Sequence, residues 1–187
     1  MAELDYYVGE FRPDLTIQDF SKEALQRLVA CGGMLYAGLS GVYFRILREN
    51  LGDEKTMELD RDAWRRMAPI EIRMSAEALG IKGNDVATVL KILQASPADA
   101  AMGILTSRYE LRNPNHGIVT YTDCPSLRYF EKHGETALYD HVCRGVCLDW
   151  FTLCGQYVNP RIKTNPLMLP PRKSQEDIAC EWEFKLE

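Results

Sequence analysis

Five of the six cysteines lie in the last third of the chain, and four of them, Cys124, Cys143, Cys147 and Cys180, could do chemistry together. Cys143 and Cys147 are an i, i+4 pair within the run Ala137 to Cys154, so a helix there aims both thiols from one face. Cys124 follows an alternating, strand-like stretch, and Cys180 opens another. Thiols delivered by two strands and one helix can converge on a point, as they do in many metal and cluster sites. Zinc or another divalent ion of similar softness would accept Cys143 and Cys147 as thiolates. Cys124, Cys180, His141 or Asp140 would then complete a tetrahedral shell. Four cysteines would also suit an iron–sulfur cluster, although no compact ferredoxin spacing occurs. There is no CxxC, HExxH or CxxCH, so any metal site depends on tertiary convergence. The same residues also read as plain core, because free cysteine is among the most buried residue types.

A thiolate nucleophile is the other chemical option, and it needs a helix N-terminus or a nearby cation to lower its pKa. Cys124 precedes Pro125 at an expected helix start, which makes it the candidate nucleophile. Asp149 or Asp140 would serve as acid, base or ligand. The three histidines are too scattered for a His-based site: His116 falls in an expected turn and His133 at an expected helix end.

The elements that must position these groups follow from periodicity. Ser21 caps an expected first helix with Leu25, Leu28, Leu35, Leu39 and Tyr43 at helical spacing, ending near Gly52. Its centre is nearly without bulk at Ala30, Cys31, Gly32, Gly33, Ala37, Gly38, Ser40 and Gly41, which predicts tight helix packing, a kink or a ligand groove. A second helix is expected from about Asp53 to Leu79, with Trp64 as a core anchor, and a third over Val86–Ala95. Then the period changes. Met102–Leu111 and Gly117–Asp123 read as a hairpin, Pro125–Phe130 as a helix, Glu135 to about Cys154 as one long helix ended by Gly155, and Tyr157–Lys163 and Ile178–Leu186 as a last strand pair. The proline-rich connection Thr164–Asp177 is long enough to be a lid or a contact for a second subunit, as in a homodimer. The expected fold class is α+β: a helical N-terminal half packed on a small antiparallel sheet with two further helices. Residues 1–101 and 102–187 are expected to form one compact domain together.

At 187 residues the chain suffices for one domain with a proper core. A net charge of −5 argues against a nucleic-acid partner, which needs a basic face. The apolar stretch Leu28–Leu47 contains several glycines and Arg45, poor material for a membrane span. The acidic N-terminal stretch lacks the features of a secretion signal, so the expected location is cytoplasmic, where cysteines stay reduced.

Five separated elements, Cys124-Pro125, Gly134, Cys143 with Asp149, Asn159-Pro160-Arg161-Ile162-Lys163 and Cys180-Glu181-Trp182-Glu183-Phe184, together resemble the L-2-amino-thiazoline-4-carboxylic acid hydrolase family over about residues 100 to 187. The resemblance implies an intracellular α+β domain and hydrolytic opening of a small heterocycle. It gives Cys124, Cys143, Asp149, Asn159 and Cys180 candidate status. The layout is also similar to small-molecule-sensing domains, some of which carry a structural zinc on cysteines. Two functions are therefore expected: a hydrolase-like protein using a Cys-lined metal or thiolate site on a small heterocyclic or amide-like molecule, or a non-catalytic small-molecule-binding module with zinc or an iron–sulfur cluster on the same cysteines.

Overall fold

The protein is described by a computed structural model covering residues 3–97 and 105–187. The expected strand start at Met102 lies outside these residues. The protein is α+β: a helical N-terminal half joins a four-stranded antiparallel sheet in the order β1-β2-β4-β3.

The helical half begins with α1 (Lys22–Leu51), where Ser21 Oγ accepts the Ala24 amide at 3.1 Å. Gly52, at φ 77°, supplies the left-handed residue that ends α1 and lets α2 (Asp53–Ala78) start at once. α3 (Val86–Ala95) is capped by Asp85, which accepts from the Thr88 amide at 2.9 Å. β1 (Thr106–Asn113) and β2 (His116–Asp123) form the hairpin, β2 being one of the two inner strands, buried from Gly117 to Tyr121. α4 (Pro125–His133) follows Cys124 directly and ends at Gly134, φ 67°.

The long helix expected from Glu135 to Cys154 forms as a continuous helical run over 137–158, but not as a single α-helix. The backbone widens into a π-helical segment, Tyr139–Val146, and only then tightens into α5 (Cys147–Val158). Gly155 does not end α5. A methyl group there would sit 3.1 Å from Ile162 Cγ2, so this glycine allows close approach to β3 (Ile162–Met168). Tyr157 and Val158 are therefore helical, not strand. β4 (Cys180–Leu186) keeps the expected alternation, with Trp182 and Phe184 fully buried. The connection after β3 is tied to the body: Arg172 pairs with Glu131 at 2.7 Å, and Pro170 O accepts from Arg144 Nη2 at 2.9 Å.

The layers run from the sheet outward. α3 and α5 pack on the sheet, α2 packs on α5 and α3, and α1 lies outermost against α2. The core gathers Val86, Val89, Ile92 and Leu93 of α3 with Phe151, Cys154, Trp182 and Phe184. Trp64 is not a core anchor; it is half-buried, edge-on to Tyr36 at 5.9 Å. α1 buries only Ala24 and Gly33, and by length and composition alone it is long and apolar enough to cross a membrane.

Candidate functional site

The four cysteines come from four places in the fold. Cys124 is the residue before α4, Cys143 lies in the π-helical segment, Cys147 opens α5 and Cys180 opens β4. β4 is hydrogen-bonded to β2 in a register that sets Cys180 opposite Tyr121, three residues before Cys124, so the sheet brings these two ends together. The wide π turn changes the geometry of the other pair: the Cys147 amide bonds to Val142 O, five residues back, so the α-helical spacing assumed for Cys143 and Cys147 does not hold.

The thiols nonetheless lie within electrostatic reach of one another. Burial is the main cause that raises each of them, and neighbouring thiols add to it at Cys143, Cys147 and Cys180. Cys143 is pushed up to about 12 by burial and then by Cys124. Cys147 is raised well above the ordinary thiol value by burial, then by Cys143, Cys180 and Cys124. Cys180 is also pushed up to about 12 by burial, with Cys124 and Cys143 contributing, although Trp182 Nε1–H donates to its sulfur at 3.3 Å. Cys124 is raised by burial too. The amides of Leu127 and Ser126 at the start of α4 pull it down without forming a cap hydrogen bond to the sulfur, and burial wins over the helix terminus. These are protonated thiols near neutral pH, the opposite of an activated nucleophile.

The donors suit a soft metal by type, being four sulfurs. As placed, however, among the described residues no group of three or more His, Cys, Asp or Glu side chains stands in metal-holding geometry. Nor does His141 join the thiols. Its ring faces α2, with Nε2 2.7 Å from Asp60 Oδ2 and Phe44 beside it at 5.8 Å. Asp140 is surface-exposed and pairs with Arg144 at 2.7 Å. Asp149 is gripped by two arginines of α2, Arg61 Nε and Arg65 Nε each 2.7 Å from its Oδ2. The hydrogen bond from Arg61 is the main cause that holds its carboxyl below the usual range. A carboxylate so held is a poor proton carrier and a good brace between α2 and α5. Asn159 is also structural: its amide donates to Asn84 O at 3.0 Å, and its Oδ1 accepts the Arg161 amide at 3.0 Å. His116 is not a solvated turn residue, since it opens β2 with Nε2 3.0 Å from Glu183 Oε1.

The sequence reading missed a set of groups on α1 and α2. Glu71 is buried mid-helix and accepts from Tyr36 Oη at 3.0 Å and Ser96 Oγ at 2.7 Å. Near it an apolar groove of about 350 Å³ runs between α1 and α2, lined by Tyr36, Leu39, Tyr43, Phe44, Trp64 and Met67, with Asp60 also on its wall. A polar recess of about 360 Å³ lies between α5 and β3, at Thr152, Gln156, Lys163 and Asn165. The acidic residues on α2 were visible in the sequence. Their one signal was a Glu among Ala68, Ile72, Ser75 and Ala76, on the face that proves buried.

Fold and site together define an α+β protein with four half-buried thiols on separate elements and a groove between α1 and α2. The chain belongs to a family of unknown function, DUF6125, whose model matches residues 18–186. No curated protein and no solved structure matches it.

Proposed function

We propose that this protein is a small-molecule-binding module of the thiazoline hydrolase-like kind, in which Cys124, Cys143, Cys147 and Cys180 hold a structural zinc and the groove between α1 and α2 takes an apolar, aromatic-containing ligand. The observation that supports the metal half is the convergence of thiols from four separate places in the fold, close enough that Cys124, Cys143 and Cys180 each raise Cys147. A zinc ion with four sulfur ligands has no open coordination position, so such a site stabilises a fold and does not activate water. Binding would displace the thiol protons, and the side chains would have to turn toward the ion. The groove's aromatic lining supports the ligand half, since binding sites are mostly apolar with a few polar groups, here Asp60 and Tyr36. Binding is favoured over hydrolysis because the Cys124 thiol is held protonated and Asp149 is engaged by Arg61 and Arg65.

Elemental analysis of protein purified anaerobically without added metal tests the first half. We expect about one zinc per chain, lost when Cys143→Ser and Cys147→Ser are combined; metal-free wild-type protein sinks it. Titration with anilinonaphthalene sulfonate tests the second. Energy transfer from tryptophan to the bound dye should fall in Trp64→Phe, and an unchanged signal removes the groove.

A further inference from the structure

α1 carries a second apolar face that the other described residues leave open. Leu28, Gly32, Leu35, Leu39, Val42 and Ile46 recur at alternating spacings of four and three residues, the seam of a helix that packs on another helix. Along this seam Leu28 is 51% exposed, Leu35 69%, Leu39 56%, Val42 42% and Ile46 48%. Among the described residues a methyl group added at Gly32 or Gly38 would meet nothing within 4 Å, so these small residues serve no packing there. The side of α1 that faces α2 and the π-helical segment is centred elsewhere, marked by buried Gly33 and by Tyr36 and Phe44, which contact Trp64 and His141, and it meets the seam at Leu39.

We infer that the seam is covered by α1 of a second copy of this chain, running antiparallel. Pairing about Ala37 sets Leu28 against Ile46 of the second copy, Gly32 against Val42, and Leu35 against Leu39, so each small position faces a branched one and the contact is self-complementary. The charges agree with that direction. Arg27, which also meets Asp5, comes beside Glu49 of the second copy at both ends, whereas parallel helices would set Arg27 beside Arg27 and Glu49 beside Glu49. α1 is about 45 Å long, and a strip one helix diameter wide along it amounts to roughly 500 Å² per subunit, or about 1,000 Å² in all. That reaches the size at which specific interfaces begin. A bilayer fits less well. α1 is held by α2 through Tyr36 to Glu71 and by the π-helical segment through Phe44 to His141, and α2 carries Asp60, Arg61, Asp62, Arg65 and Arg66, so α1 cannot insert without them. The inference does not rest on the thiols or on a ligand in the groove, although Leu39 borders the groove as well as the seam.

Sedimentation velocity on the full chain at micromolar concentration should show a dimer. Leu35→Glu combined with Leu39→Glu should weaken association at least about tenfold, with the helical circular dichroism unchanged because both positions are exposed. In a Cys31→Ser background, chains carrying Leu28→Cys should cross-link on oxidation to chains carrying Ile46→Cys, and not to one another. A monomer across the range, a dimer indifferent to the double Glu variant, or self-cross-linking of Leu28→Cys would overturn the inference. So would a monomer that floats with phosphatidylcholine–phosphatidylglycerol vesicles.

Discussion

Cys124 shows how a local signal loses to its surroundings. Its place before α4 promises an activated thiolate, but burial costs the charged form more than two nearby amides return. The measurable consequence is an order of reactivity. In metal-free protein at neutral pH, mass-spectrometric mapping of iodoacetamide labelling should find exposed Cys31 modified first and Cys124, Cys143, Cys147 and Cys180 much later. Faster labelling of Cys124 would contradict the burial argument. Stability should also depend on pH. The folded state keeps protons on Cys143 and Cys180 up to about 12, whereas an unfolded thiol releases its proton near 8.5. Between those values the unfolded state holds fewer protons, so stability is fully present below about pH 8.5 and lost as pH rises. The melting temperature of metal-free protein should therefore fall between pH 8 and 10, and less steeply in Cys143→Ala. Asp149 behaves in the opposite sense. Its carboxyl is depressed in the folded state, so its contribution is present above about pH 4 and lost as pH falls. Asp149→Asn should lower stability by about 1–2 kcal/mol at pH 7, a figure discounted for the exposure of Arg61 and Arg65. Urea titration should show the difference from wild type shrinking toward pH 3.

At the scale of elements, the contact between α3 and β2 leaves no room. A methyl group at Gly117 would lie 2.8 Å from Leu90 Cδ1 and 3.1 Å from Val86 Cγ1, both on α3. Gly117→Ala should cost about 1–3 kcal/mol in denaturant unfolding, the usual penalty of overpacking. A neutral result would mean that α3 can shift without loss. Much of this level was legible. α1, α3 and α4 begin where Ser21, Asp85 and Pro125 put them, because capping is decided within a few residues. The π-helical segment was not legible, since an apolar run carrying Cys143 and Cys147 has the same composition whether its turns hold four or five residues. The wider turn accompanies contacts with α2, among them His141 with Asp60 and Arg61 close to Gly145.

For the whole molecule, α2 is the element that joins the halves, touching α1 on one side and α5, the π-helical segment and α3 on the other. Such a layout should unfold as one unit. Trp64 on α2 and Trp182 on β4 report from opposite sides of it. Two single-tryptophan variants, each keeping one of them with the others changed to Phe, should give coincident urea transitions matching far-ultraviolet circular dichroism. Separate midpoints would mean that the helical half and the sheet are independent.

The chain by itself determined the α+β class, the helix caps, the alternation of Cys180, Trp182, Phe184 and Leu186, and the four thiols as the group to watch, because each depends on neighbours in sequence. Only the tertiary structure decided what those groups can do. It placed Asp149 between two arginines 84 and 88 residues away, took His141 to Asp60, and raised all four thiols by burial. Charge, desolvation and packing act through space between segments far apart in the chain, and periodicity and spacing carry no record of those distances.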